Sequence, residues 1–478
     1  MKESNLVELF KTLTTKEIKE FCTYFESPHF DKVKHRKEAQ KILDILAKYA
    51  PNGLDLAKEK VYKKVFPGEP YVEGRLDKAM GELSKALRTF MTIQHYLRDE
   101  NQQAVQADFA QMLLGRQLLQ RATNTIRLLL DDLKESPKPN TTTYELLHRA
   151  SSIEYSIEAR KNTWREDLNI GHTLRYLDLY YFSSRLVMLN HYLLLSKLGQ
   201  VDAGIEMDKE ANLYRFFEVS PVESPFIFIA QKIFELYTNE KPDASTIETL
   251  LDTIKTHEHS LSEADAKVFY TYLRTYCSLL SPEDNSNSLV SVLYRIQRDN
   301  LEKGYFYYGQ EIPPGAFFSI AIVALRQGDK DWAFDFIQAH QNRIMGDNES
   351  KDYYRLAIAY YLFENKMYEK SLEYIPPSSP NLDYHLYARR LELMNYYELD
   401  SDLLPYKIDA FKMYLSRGRR NLLAKDYCER NNNFVNILIQ IMQSKPGDPK
   451  RKETLLLRIA EKKQIMARDW LVEKVNRL

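Results

Sequence analysis

Glu145 and His148, in Glu-Leu-Leu-His, have the spacing that sets two metal ligands on one face of a helix. A di-iron carboxylate centre needs a second such pair and two more carboxylates on facing helices, and the sequence has no second copy. His257 and His259 are two apart, so a helix points them away from each other. His29 and His35 flank the Ser27-Pro28 break without the cysteine pair that would complete a tetrahedral zinc set. Nucleophilic chemistry finds as little support. There is no Gly-x-Ser-x-Gly elbow. Cys277 sits in the apolar stripe of Tyr270–Leu280, where a free cysteine acts as a small core residue. Cys428, among Asp426, Glu429 and Arg430, has no histidine near it in sequence. Phosphate-cradling loops and dinucleotide glycine clusters are missing too, in a chain with 15 glycines among 478 residues. The expectation is no catalytic, cofactor-binding or metal-ligating residue, and a chain that is not an enzyme.

Charge is the next lead. Lys plus Arg and Asp plus Glu both number 67, yet they are unevenly placed. Residues 1–98 carry a net +5, residues 99–406 a net −14 and residues 407–478 a net +9. The basic end includes Arg417, Arg419, Arg420, Lys450, Arg451 and Lys452. Such a stretch attracts phosphate or an acidic partner, or else neutralises acidic helices or faces solvent. No base-stacking motif or recognition helix accompanies it. Arg75, Lys78, Lys85 and Arg88 on the helix after Gly74 resemble the basic face of a DNA reader, but Asp77 and Glu82 interrupt them and would repel phosphate. A docking or capping bundle fits residues 1–98 better. The three cysteines (Cys22, Cys277 and Cys428) are odd in number and far apart, which indicates a reducing compartment. The N-terminus lacks the apolar run of a signal peptide. Leu186–Leu198, the longest apolar stretch, is interrupted by Asn190, His191, Ser196 and Lys197 and falls short of the roughly 20 residues that span a bilayer. A cytoplasmic protein with no membrane partner is expected.

The elements that must position any site are helical throughout. Leu6, Leu9, Phe10 and Leu13 open the pattern with helical spacing. Thr14 and Glu17 have the spacing of a capping box, and Ile18, Phe21, Cys22 and Phe25 follow before the stop at Ser27-Pro28. Further helices are read over about 31–50, 55–65, 71–98 and 101–135, with Pro51-Asn52-Gly53 and Phe66-Pro67-Gly68 as breaks. No strand-like alternation is bounded by turn dipeptides. From about residue 140 helices pair through short polar turns: Gly199–Asp202, Gln327–Lys330, Glu364–Lys366 and Leu399–Ser401. The fold class is all-α. An α-solenoid of stacked helical hairpins follows a small N-terminal helical bundle. Its parts are a helical module at 1–98, a long-helix connector at 99–173, the solenoid at 174–440 and a basic capping helix at 441–478.

Residues 353–375, YYRLAIAYYLFENKMYEKSLEYI, resemble a tetratricopeptide repeat (TPR). Small Ala359 falls at the close approach of the first helix, Tyr368 at the aromatic position beside the turn, and Ser371 at the small position of the second helix. Residues 317–337 repeat the scheme with Ala321, Gly328-Asp329 and Ala333, and similar units lie around 391–415 and 185–216. The whole chain also resembles a large uncharacterised bacterial family that joins an N-terminal helical module to a TPR-like C-terminal region. The phrases YFESPHFDK and RDWLVEKVNRL carry that likeness. It implies architecture and no mechanism.

Tyrosine, at 33 residues, is the most distinctive part of the composition. Tyr176, Tyr180, Tyr270, Tyr353, Tyr360 and Tyr396 are among those on the predicted first helices of hairpins. On a concave solenoid face they would anchor a peptide, and between repeats they would fill the core. The expected function is a non-enzymatic scaffold or adaptor that binds a protein or peptide segment on a concave, acidic, Tyr-rich face. Tyr353, Tyr360, Arg389 and Tyr396 are the candidate contacts, and the acidic middle favours basic partners. The alternative is a nucleic-acid-associated regulator that uses the basic ends, with binding that falls steeply as salt rises.

Overall fold

The computed structural model of the chain describes residues 4–32, 34–49, 57–161, 168–198, 204–206, 209–210, 212, 217, 219–239, 244–280, 288–346, 348–376, 382–418, 425–462 and 465–478. Among them are twenty-two α-helices and no strand, only two isolated bridges. The protein is all-α. The expected breaks at Pro51-Asn52-Gly53 and Gly199–Asp202, with Arg419 and Arg420, lie outside the described residues. Two compact units emerge: Met1–Glu135 with Leu146–Thr173, and Ser136–Glu145 with Leu174–Leu478.

In the first unit, α1 (Asn5–Lys11), α2 (Thr15–Glu26), α3 (Arg36–Tyr49), α4 (Lys58–Val65) and α5 (Arg75–Tyr96) share one apolar core. Phe21 and Phe25, one turn apart on α2, point the same way, and Phe21 meets Phe90 of α5 at a ring separation of 5.4 Å. The capping box forms: Glu17 N donates to Thr14 Oγ1 at 3.3 Å, and Thr14 N donates to the Glu17 carboxylate at 2.7 Å. Residues 101–135, read above as one helix, are two: α6 (Gln102–Gly115) and α7 (Leu119–Lys134), packed on each other. Gln117 adopts a left-handed φ of 64°, while Leu118 N donates to Leu113 O and Gln117 N to Leu114 O, which is a Schellman cap. A glutamine in that position leaves no mark in the sequence. The unit boundary then passes through α8 (Thr141–Arg160) and α9 (Ile170–Lys197).

Each helix of the second unit packs on its neighbours in the chain. Asn190 Nδ2 of α9 donates to Ala230 O of α10 (Pro225–Thr238) at 2.9 Å, which satisfies the donor side of a buried amide. Next come α11 (Ala244–His257), α12 (Glu263–Leu280) and α13 (Ser288–Glu302), which pack in sequence order. Three helical hairpins follow: α14 (Pro314–Gln327) with α15 (Lys330–His340), α16 (Asn348–Glu364) with α17 (Tyr368–Tyr374), and α18 (Leu382–Glu398) with α19 (Leu404–Gly418). First helices stack on first helices, α14 on α16 and α16 on α18, and each second helix touches the next hairpin.

One turn geometry closes all three hairpins. Gly328, Lys366 and Asp400 have φ of 90°, 61° and 47°, at intervals of 38 and 34 residues. At each, the left-handed residue donates three positions back and its successor five back, as in Asp329 N to Ala324 O, Met367 N to Leu362 O and Ser401 N to Tyr396 O. Glycine pays no Cβ penalty at this position, whereas the lysine and the aspartate do. The small residues between helices meet as their types require. Ala359 is fully buried, Ser371 Oγ donates to its carbonyl at 2.8 Å, and Asn395 Nδ2 of the next hairpin donates to Ser371 Oγ at 3.0 Å.

The C-terminal residues add α20 (Lys425–Met442), α21 (Pro449–Glu461) and α22 (Arg468–Asn476) to the same apolar core through Phe434, Leu438, Leu455 and Leu471. Arg468 is buried and donates to the carbonyls of Ile459, at 2.6 Å, and Lys462, which satisfies the end of α21. No helix among the described residues is long and apolar enough to cross a membrane.

Candidate partner-binding residues

The four residues singled out from the sequence form two separate pairs. Tyr353 and Tyr360 are two turns apart on α16 and share a face. That face turns inward, around Phe318 of α14. Ring centroids lie 6.1 Å from Phe318 for Tyr353, 5.8 Å for Tyr360, 6.5 Å for Tyr384 and 5.3 Å for Tyr387, the last two from α18. Tyr353 is buried, with its ring 4.6 Å from that of Tyr384. The Tyr360 hydroxyl donates to Tyr387 O at 3.4 Å, and burial pushes its pKa up. Arg390, also buried, stacks on the Tyr387 ring at 4.7 Å and donates to Asn431 Oδ1 at 3.1 Å. This aromatic face joins successive hairpins.

Arg389 and Tyr396, two turns apart on α18, line a different face with Glu392 between them. Arg389 pairs with Glu392 at 2.6 Å and donates to Pro376 O at 2.7 Å. Glu392 also takes Lys407 of α19 at 2.7 Å, a bond that raises the lysine's pKa. The Lys407 ammonium stands 5.4 Å from the Tyr396 ring. Two cations share one carboxylate here, and Asp402 and Asp409 are exposed nearby, beside Leu403 and one turn from Tyr406.

Beside this pair lies a surface that the sequence reading missed. Leu403, just before α19, and Tyr406 and Met413 along it are exposed, Tyr406 by 74%, while Leu404, Ile408, Phe411 and Leu415 fill the core side of the helix. The signal was present. Residues 403, 406, 410 and 413 repeat at intervals of three and four, as a second apolar stripe beside the buried one.

A cluster of titratable groups converges on Glu258. It accepts from Tyr270 at 3.0 Å, Tyr305 at 2.6 Å and Lys303 at 2.7 Å, and Lys303 also pairs with Asp299 at 2.9 Å. Burial opposes ionisation of Glu258, but the three hydrogen bonds together outweigh it and hold the carboxyl below its usual value of 4.5. A depressed carboxyl stabilises the fold at pH above its unfolded value, and that contribution is lost as pH falls through the folded one. Glu258→Gln will therefore flatten the acid side of the stability–pH curve of the second unit below about pH 4.5 and leave the slope near neutrality unchanged. Urea titrations across that range measure it, and an unaltered acid limb would refute the assignment.

Several other candidates from the sequence have partners within the fold. His148 Nδ1 lies 3.3 Å from Thr173 O. Among the described residues no group of three or more His, Cys, Asp or Glu is placed to hold a metal ion. Cys277 is buried in the core, which pushes its thiol up to about 12, and Cys428 is buried too. On α5, Arg75 pairs with Glu69, Lys85 with Glu82 at 2.8 Å, and Asp77 takes Lys58 at 2.8 Å. Of the basic C-terminal residues, Arg451 donates to Ser444 Oγ at 3.1 Å and Lys452 to Asn476 O at 2.7 Å, while Lys450 is exposed. Comparison with protein-family models, with curated proteins and with solved structures finds nothing that matches this chain.

Proposed function

We propose that this chain is a non-enzymatic, cytoplasmic interaction scaffold, a TPR-like α-solenoid that recognises a protein or peptide segment. The observation that carries the reading is the repeated hairpin turn at Gly328, Lys366 and Asp400, with first helix stacked on first helix. Repeats of this kind bury one face against the next unit and leave the other side chains in register for a partner. Tyr353 and Tyr360 serve chiefly to join hairpins. Tyr396 and Arg389, with Lys407, the exposed Leu403 before α19 and the exposed Tyr406 and Met413 of α19, form the recognition surface. Its chemistry suits a segment with apolar anchors.

The test is an affinity capture of partners from the native cytoplasm, with and without nuclease, using the wild type and Tyr406→Glu. Tyr406 is so exposed that the substitution will change stability by no more than about 0.5 kcal/mol. A stoichiometric protein that resists nuclease and is lost with Tyr406→Glu is the expected result. A nuclease-sensitive catch indifferent to Tyr406 would instead favour nucleic-acid association through the basic ends.

A further inference from the structure

Arg274 of α12 is a cation that the fold holds in place without neutralising. It is partly buried, and its guanidinium carbon lies 4.2 Å from the centre of the buried Phe306 ring. Nη1 donates to Asn300 Oδ1 of α13, and Nη2 to Thr271 Oγ1 at 2.8 Å. Both acceptors are neutral and are themselves fixed. Thr271 Oγ1 donates to Lys267 O at 2.7 Å, and the fully buried Asn300 donates to Asp299 Oδ2 at 3.3 Å. Asp299 in turn is committed to Lys303 at 2.9 Å. No carboxylate pairs with Arg274 among the described residues. Two arginines of α13 differ, Arg295 pairing with Glu248 and Arg298 with Asp329. Acids are not scarce in this stretch, since residues 99–406 carry a net −14.

Burial lowers the pKa of Arg274 to about 10, which leaves it charged at neutral pH. Two of the five N–H donors of a guanidinium are used, so three are left. A desolvated cation without a counter-ion is costly, and an anion that binds there relieves that cost. A second free donor adjoins. Tyr308 is 70% exposed, its hydroxyl makes no hydrogen bond among the described residues, and it lies within electrostatic range of Arg274. Its place is fixed by the backbone. Tyr308 N donates to Glu311 O at 2.9 Å and Glu311 N to Tyr308 O at 3.2 Å, across a two-residue turn in which Gly309 takes a φ of 64°. Arg343 Nε donates to Gln310 O at 2.8 Å and pins that turn.

We propose that Arg274 and the Tyr308 hydroxyl form an oxyanion site that takes a phosphate group. Three N–H donors on a planar fork, with a phenol beside them, suit a tetrahedral anion that offers several acceptor oxygens. A dianion also answers a desolvated guanidinium more strongly than a single carboxylate does. Thr271, Asn300 and Phe306 are positioning residues that hold the fork ready, so little ordering remains to be done on binding.

Calorimetric titration of the full chain at constant ionic strength tests the site, with inorganic phosphate, phosphoserine, phosphotyrosine and acetate as probes. Phosphate is expected to bind with a dissociation constant on the order of 1 mM, and acetate more weakly. Tighter binding of either phosphoamino acid would mark a phosphorylated side chain as the source, and a preference for inorganic phosphate would mark the free ion. Arg274→Gln should weaken phosphate binding by about tenfold or more. Tyr308→Glu, at a position too exposed to affect folding, sets a carboxylate beside the guanidinium and should abolish it. The proposal is overturned if phosphate shows no saturable binding beyond that of acetate, or if Tyr308→Glu binds it as tightly as the wild type. The site shares no residue with the surface on α19, so partner capture through Tyr406 is a separate readout.

Discussion

Phe318→Ala will destabilise the second unit by about 3–5 kcal/mol, the cost of removing a buried aromatic side chain and leaving a partly collapsed cavity. Phe318 is the common neighbour of Tyr353, Tyr360, Tyr384 and Tyr387, so its loss opens the contact between all three hairpins. Aromatic pairs add about 0.5–1.5 kcal/mol each beyond their buried area, and the substitution removes several at once. Urea denaturation followed by far-UV circular dichroism measures the change, with Tyr406→Glu as the surface control. A loss below about 1 kcal/mol would mean that the four tyrosines do not form a shared core, and would return Tyr353 and Tyr360 to the list of partner contacts.

Glu398→Ala is expected to cost a similar amount by a different mechanism. Glu398 of α18 accepts from Trp470 Nε1 at 2.7 Å and pairs with Lys474, whose side chain is 4% exposed. Removing the carboxylate leaves the buried ammonium only its 3.2 Å contact with the half-exposed Glu473, and breaking a buried pair from one side costs about 3–5 kcal/mol, here toward the lower end. Replacing both partners, as Glu398→Leu with Lys474→Met, removes that poorly compensated charge and should recover most of the loss. The Trp470 ring, 5.2 Å from Tyr397 and 6.2 Å from Phe434, relies on the same anchor. Limited proteolysis should accordingly cut between α21 and α22 in the single variant and spare the double one. Equal sensitivity of single and double variants would show that the ion pair is not what docks α22.

Much of the local structure was legible in advance. Thr14 and Glu17 announced a capping box, and it forms. The turns at Gln327–Lys330, Glu364–Lys366 and Leu399–Ser401 fall where polar residues interrupt the apolar period, and all three close hairpins. Ala359 and Ser371, read as the small residues of a close helix approach, are in hydrogen-bond contact. These features depend on residues within a few positions of each other, where spacing and side-chain type already carry the energetics.

What escaped the sequence was the choice of face. Helix α6 ends at a left-handed glutamine that no composition rule marks. Tyr353 and Tyr396 both lie on first helices of hairpins, yet one ring is enclosed by Phe318 and Tyr384 while the other lies beneath Lys407. On α9 and α19 two apolar stripes compete for one core, and periodicity ranks neither. Short-range hydrogen bonds and caps make each segment a helix wherever it is placed. Which of its faces is buried depends on apolar area offered by helices tens of residues away, and that contest is resolved only when the helices pack.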